Sequence, residues 1–336
     1  MITELVQKRL NGGRFDQQEA RQFFRAVVDG QVDPIELTAV LVAGKLQGID
    51  AAEVSGAAQA LRQAATPFPI VASDSIDCCG TGGDGSNTIN ISTTAAIVAA
   101  AAGLSVAKHG NRSVSSKSGS ADLLESLGVN IQLSPQQAAT SLQQAGCAFL
   151  FAPLYHAGIR HAMPVRQQLK TRTLFNVLGP LLNPASPGYQ LLGVYDAALG
   201  PVMAEALAQL GVRRAWVVHG SGCDEIALHG PTEVTELDDG NIRQFQLTPA
   251  DFGLKERALS ELAGGSPAEN AAASLAILQG KGLPAHQDAI AANVAAMMVI
   301  CGQHSDLKDN VAHIKQLLQG DQGYQRLQRM KELSNG

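Results

Sequence analysis

Three stretches of the sequence gather residue types that handle anions. The first, "GTGGDGSNTINIST" at residues 80–93, has glycine at four of its first six positions. Glycine is needed where a ligand must approach the main chain closely, and such bare backbone leaves its N–H groups free to donate. Ser92, Thr93 and Thr94 stand where an alanine-rich helix begins, and a helix N-terminus favours negative charge. The second stretch, "KHGNRSVSSKSGS" at 108–120, adds Lys108, Arg112, Lys117 and five serine hydroxyls, and again leads into a helix. The third, "HGSGCDE" at 219–225, places Asp224 and Glu225 side by side. Adjacent carboxylates beside a polyphosphate are what a hard, oxygen-seeking Mg²⁺ needs. Together the two loops point to one ligand with two separated phosphate groups. The plainer alternatives are tight turns for the loops and a solvated acidic turn for the acid pair.

Two familiar phosphate motifs fail here. Gly80, Gly82 and Gly85 match the dinucleotide spacing, but that reading needs an acid about 20 residues onward. No acidic residue lies between Asp84 and Asp122, and the second strand ends in Lys108-His109. A P-loop needs a second glycine where Ser115 stands, five residues after Gly110. A zinc site from His219, Cys223 and His229 fits no familiar ligand spacing.

The elements that must position these residues are legible from capping and periodicity. The first 65 or so residues read as successive helices. One is opened by Asp16 and Glu19, one by Asp33-Pro34-Ile35-Glu36, and one by Asp50 and Glu53. "ATPFPIVAS", with two prolines, reads as a linker. Short apolar runs then alternate with helices. Strands are expected at 75–79, 104–109, 147–152, 189–195 and 214–220, and helices at 91–102, 119–127, 134–145 and 202–210. Residues 232–237 and 241–247, joined by Asp238-Asp239-Gly240, read as a hairpin, and helices return at 270–280, 288–302 and from His304. The expected class is α/β: a small all-helical N-terminal domain, and a larger α/β domain with a central, mostly parallel sheet flanked by helices. The helical domain takes residues 1–68, joined by a returning helical segment near 165–183. The α/β domain takes residues 74–336.

Composition narrows the function classes. The chain has 336 residues, 45% hydrophobic and 16% charged, as a compact globular protein does. A net charge of −5 with 4% aromatics gives no global basic field and little material for base stacking, which argues against a nucleic-acid role. The opening "MITELVQKRLNGG" has no apolar signal core, and the apolar run at 95–107 is too short for a bilayer. Five cysteines without a CxxC pair make no disulfide framework. A cytoplasmic protein without membrane partners is expected.

The long motifs "GTGGDGSNTINIST", "VAKHGNRSVSSKSGSADLLE", "RHAMPVRQQLKTRTLFNVLGPLLNP" and "GCDE" resemble those of the anthranilate phosphoribosyltransferases of tryptophan biosynthesis. The resemblance covers essentially the whole chain and is to the form without an amidotransferase segment. It implies transfer of the phosphoribosyl group of phosphoribosyl pyrophosphate to the amine of anthranilate, with release of pyrophosphate. By the same resemblance, Gly80, Gly83, Asp84, Thr88, Asn90, Ile91, Ser92 and Thr93 line the phosphoribosyl pyrophosphate site. Lys108, His109, Gly110, Asn111, Arg112, Ser113, Val114, Ser115, Ser116 and Ser120 form its other wall. Ser92, Asp224 and Glu225 would hold two Mg²⁺ ions, and Gly80, Asn111 and Arg166 would contact anthranilate.

Two other readings compete. A pyrimidine nucleoside phosphorylase of the same fold would not need the acid pair, and a nucleic-acid-binding relative should show a basic groove. No dominant general base is expected. His109 is the nearest candidate, His156 and His161 border the segment leading to Arg166, and Met163 and Phe151 read as pocket wall or core. A homodimer is expected through the helical domain, where Phe23, Leu37, Val40 and Leu41 exceed what so small a unit can bury.

Overall fold

The computed structural model describes residues 2–113 and 117–336; Val114, Ser115 and Ser116 of the second loop lie outside them. Four helices come first: α1 (Ile2–Leu10), α2 (Gln17–Val28), α3 (Pro34–Gln47) and α4 (Ala51–Gln63). Their starts are chemical. Asp16 closes a capping box with Glu19, Asp33 accepts from the Ile35 amide ahead of Pro34, and Asp50 accepts from the Ala52 and Glu53 amides.

The α/β portion begins with β1 (Ile76–Gly80), α5 (Ile91–Ala101), β2 (Val106–Gly110), α6 (Ser120–Ser126), α7 (Pro135–Ala145) and β3 (Cys147–Phe151). The short helix α8 (Ala152–Tyr155) packs on β3, and α9 (Met163–Leu169) and α10 (Phe175–Leu178) return to the helical bundle. Then come β4 (Tyr189–Gly193), α11 (Leu199–Gln209), β5 (Arg214–Gly220) and the hairpin β6 (Thr232–Asp238) and β7 (Asn241–Leu247). Four helices close the chain: α12 (Pro267–Leu278), α13 (Pro284–Ile300), α14 (Leu307–Leu317) and α15 (Gln322–Asn335). The single helix expected from His304 is thus two, parted around Gly320.

Among the described residues one seven-stranded sheet runs β3-β2-β1-β4-β5-β6-β7. The strands from β3 to β5 are parallel, and the hairpin adds two antiparallel strands beyond β5. Both faces are covered, so neighbouring strand residues serve different cores. Leu191 packs among α5 and α13, whereas Leu192 packs with α11 and the helical bundle. No helix is long and apolar enough to cross a membrane among the described residues.

One expectation is corrected. Phe23, Leu37, Val40 and Leu41 are 0–3% exposed. The returning segment supplies Ala162, Val165, Phe175 and Leu178 to the same core, so these side chains need no second chain to cover them. The apolar residues left at the surface of the bundle are Leu10, Ile35, Val42 and Leu46.

Candidate active site

The chain leaves β1 toward β2 on one side of the sheet and later adds β4 on the other, so the strand order reverses at the β1–β4 boundary. Ligands bind at the carboxyl ends of strands at such a boundary. Here Gly80 pairs with Gly193. Neither position has room for a side chain. A methyl on Gly80 would strike the Asp224 carboxylate, and one on Gly193 would strike the Asp224 backbone. Strand-terminal glycine therefore lets the turn after β5 fold over the boundary.

The glycine loop needs its glycines for conformation as well, because Gly82, Gly83 and Gly85 have φ of +67°, +75° and +80°. The Gly82 amide donates to Asp224 Oδ2 at 2.6 Å, and the Asp224 amide donates to Asp84 Oδ2 at 3.2 Å. The Ser92 amide, in the first turn of α5, donates to Glu225 Oε1 at 3.2 Å. Asn90 occupies the α5 cap position without a capping side-chain bond and instead donates to the Ser118 carbonyl at 3.0 Å. It also accepts from Asn270 at 2.8 Å. Thr88 bridges Ala263, which ties the end of the loop to the segment before α12.

The acid pair is correspondingly not a solvent-facing turn: both residues are partly buried in the crevice. Burial, then the nearby Asp84, raises Asp224 to about 6; burial, then Asp224, raises Glu225 to about 8. His219 holds the turn in place, with Nδ1 at 2.8 Å from the Val194 carbonyl and Nε2 accepting from the Gly222 amide at 3.2 Å. His219 and His229 thus serve main-chain bonds in this turn, the latter at 3.1 Å from the Ser221 carbonyl.

Besides the Asn90–Ser118 bond, the second loop meets the first at Lys108 and Ser120. Lys108 is 2% exposed, with Nζ at 2.5 Å from the Cys78 carbonyl and 3.4 Å from Ser92 Oγ. Thr93 Oγ1 donates to Ser120 Oγ at 3.0 Å. Gly110 ends β2 under Phe149 and Ser120, and Asp122 organises the loop by accepting the Ser113 and Gly119 amides at 3.0 and 2.9 Å. Arg112 turns back to Glu125 at 2.5 and 2.8 Å and to Asp122 at 3.1 Å. Asn111 is exposed, and its side chain accepts the Arg112 amide.

His109 follows Lys108 on β2, so its side chain lies on the other face. Its amide donates to Asp77 Oδ1 at 3.2 Å, and its ring meets His156 edge to face at 5.2 Å. Burial, then His156, holds His109 well below the usual imidazole range; burial likewise pushes His156 down to about 4. Arg166 on α9 is partly buried beside Phe175, 5.1 Å from the ring centre, and burial lowers its pKa. No hydrogen bond or ion pair joins Arg166 to Gly80 or Asn111 among the described residues.

Three further residues belong to the arrangement. Arg172 donates to the Gly83 carbonyl and stacks 3.9 Å from the Tyr195 ring centre. Asn183 donates to Asp77 at 2.8 Å and to the Ala107 carbonyl at 2.7 Å beneath the boundary. Gly193 admits the Asp224 backbone. Arg172 and Asn183 lie within the quoted motif at residues 160–184, and the signal for Gly193 is that β1, β2, β4 and β5 all end in glycine.

Known proteins resemble this one throughout. Residues 3–65 match the helical bundle domain of the glycosyl transferase family, and residues 72–323 match its a/b domain. An anthranilate phosphoribosyltransferase of Pseudoalteromonas translucida is 52% identical over 335 residues, covering 100% of this chain and 94% of that one. One from Aeromonas hydrophila is 54% identical over 96% of this chain and 95% of its own. The crystal structure of the Thermus thermophilus enzyme superposes with a TM-score of 0.94 at 41% identity, over 99% of both chains. That of the Saccharomyces cerevisiae enzyme, in complex with PRPP and Mg, gives 0.89 at 28% identity, over 99% and 97%. This chain belongs to the anthranilate phosphoribosyltransferase family.

Proposed function

We propose that the crevice over the β1–β4 boundary binds 5-phosphoribosyl 1-pyrophosphate with Mg²⁺ and presents its ribose C1 to the amine of anthranilate. The product is N-(5-phosphoribosyl)anthranilate, made in the second step of tryptophan biosynthesis from chorismate. The observation that carries the reading is the junction of the acid pair with both anion-binding elements: Asp224 with the Gly82 amide, Glu225 with the α5 N-terminus.

The donor set fits Mg²⁺. Asp224, Glu225 and the Ser92 hydroxyl offer hard oxygen ligands, and burial first, then neighbouring carboxylates, raises both acids, a cost that a bound cation would offset. We assign these residues to two ions. Bound there, Mg²⁺ supplies positive charge against the pyrophosphate oxygens and the charge that develops on the leaving group.

The remaining work falls to the chain. Gly80, Gly83, Asp84, Thr88, Asn90, Ile91, Ser92 and Thr93 hold one phosphate end of the donor. Lys108, with residues 109–116 and Ser120, holds the other. Gly80, Asn111 and Arg166 position the acceptor, whose carboxylate a guanidinium meets with two parallel hydrogen bonds. The C1–oxygen bond breaks with its electron pair leaving on pyrophosphate, the C1–nitrogen bond forms, and the amine releases its proton to solvent water. Anthranilate's amine is neutral and already nucleophilic, so positioning and charge stabilisation supply the acceleration. His109, buried and held neutral at a lowered pKa, is a weak base for this step.

The assembly proposed is a homodimer through the helical bundle, now across the exposed Ile35, Val42 and Leu46 of α3 together with Leu10. The cytoplasm is its proposed location. Loss of anthranilate fluorescence on adding phosphoribosyl pyrophosphate and Mg²⁺ tests the activity. Phosphorolysis of pyrimidine nucleosides without that reaction would favour the phosphorylase reading instead.

A further inference from the structure

Away from the crevice, a cavity of about 200 Å³ opens between the helical bundle and the segment before α10. Its apolar wall is Phe24, Val40, Leu41, Ile49 and Leu174. A cavity of about 150 Å³ with such walls accommodates a benzene ring, so this one has room for a ring and a short polar arm. Neither Asp224, Glu225 nor Lys108 lines it.

Its charges do not balance. Arg9 and Glu53, both buried, pair with each other, and Arg9 also donates to Gln47 at 2.7 Å. That leaves Lys45 and Arg172. Lys45 donates to the Thr171 hydroxyl, and Arg172 to the Gly83 carbonyl. Neither forms an ion pair among the described residues. Arg9, 3% exposed, keeps an Nε without a hydrogen-bond partner there. Two cations without carboxylate partners at the edge of an apolar hole fit a ligand that carries its own single negative charge.

Glycine on α3 admits the Arg9 guanidinium at the cavity wall. A methyl on Gly44 would come within 2.6 Å of Arg9 Nη2. At 3.6 residues per turn, Val40, Gly44 and Gly48 lie on the opposite side of α3 from Ile35, Val42 and Leu46, so a dimer through the latter leaves the cavity accessible. Two of its walls also touch the glycine loop. Arg172 reaches the Gly83 carbonyl, and the Tyr195 amide donates to Thr81 Oγ1 at 3.1 Å.

We propose that this cavity is a second small-molecule site, for an aromatic or branched aliphatic monocarboxylate, whose occupancy alters the glycine loop through Arg172 and Tyr195. The site binds its ligand whether or not the crevice carries out the transfer assigned to it.

Calorimetric titration of the whole protein with 3-phenylpropionate, and with 3-phenylpropanamide as its uncharged counterpart, tests this. The acid should bind with a Kd of about 1 mM or tighter, and the amide at least about 10-fold more weakly. Arg166→Ala, which alters the acceptor position of the crevice, should leave the acid's Kd unchanged. Lys45→Glu, at an exposed position, should weaken the acid about 10-fold, and Ile49→Trp should remove binding by filling the hole. In turnover assays the acid should shift the KM for phosphoribosyl pyrophosphate in the wild type and not in Lys45→Glu. The proposal is overturned by equal affinity for acid and amide, by loss of the acid's binding in Arg166→Ala, by wild-type binding in Lys45→Glu, or by no heat up to about 10 mM.

Discussion

The Gly82 amide donates to the Asp224 carboxylate at 2.6 Å, across 142 positions of sequence. A donor that the glycine loop offers to anions is thus shared with the acid that is to hold the metal. Loop and acid pair form one unit, and its members should respond together when either is changed.

The acid pair should cost stability when no metal is bound. Glu225 is raised to about 8 from an ordinary value near 4.5, so the folded protein holds that proton more tightly than the unfolded chain does. Stability then falls as pH rises through that interval. Glu225→Gln should melt at least about 2 °C higher than wild type near pH 8 in the presence of a chelator. A lower melting temperature would show that the carboxylate stabilises the fold.

Arg166 should act on one substrate. With Arg166→Ala, the KM for anthranilate should rise about 10-fold or more, and that for phosphoribosyl pyrophosphate much less. Arg166→Lys should recover little, because an ammonium cannot reproduce the paired hydrogen bonds. Equal rises for both substrates would mean that the residue supports the fold, through Phe175, instead of the acceptor.

His156 gives a pH signature of opposite sign. Burial lowers it to about 4, with Arg62 adding to the shift and the Leu182 backbone opposing it. The unfolded chain takes up this proton near pH 6.5, so its stabilising contribution is present above that pH and is lost as pH falls toward about 4. His109 is shifted the same way, so His156→Phe should reduce, and not abolish, the loss of urea resistance between about pH 6.5 and 4.5. Parallel pH curves for wild type and variant would exclude the buried neutral imidazole.

Assembly has its own test. Ile35→Glu combined with Leu46→Glu places two charges on the exposed face of α3, at positions 79% and 82% exposed. Sedimentation at micromolar concentration should give a dimer for wild type and a monomer for the variant. A wild-type monomer would remove the interface altogether.

Local chemistry was legible in the sequence, and long-range chemistry less so. The caps at Asp16, Asp33 and Asp50, the hairpin around Asp239-Gly240 and the glycine loop all depend on residues a few positions apart. The burial of Asp224 and Glu225 depends on Gly80, Gly193 and the Gly82 amide, far away in sequence, and so reads as a surface turn from sequence alone. Arg112 likewise looks like a free cation in its loop, yet Asp122 and Glu125 meet it on the next helix. Leu37 and Leu41 look unburied because the segment that covers them arrives more than a hundred residues later.

The metal site bears the central claim most directly. Initial rates are to be measured against Mg²⁺ concentration for wild type and for the double variant Asp224→Asn, Glu225→Gln, which keeps size and most hydrogen bonding. The account predicts a wild-type rate that depends on Mg²⁺. For the double variant it predicts kcat/KM lower by at least about 10²-fold, the scale for one lost transition-state charge contact, with a half-saturating Mg²⁺ concentration shifted upward. A double variant with the wild-type rate and the wild-type Mg²⁺ requirement would contradict it.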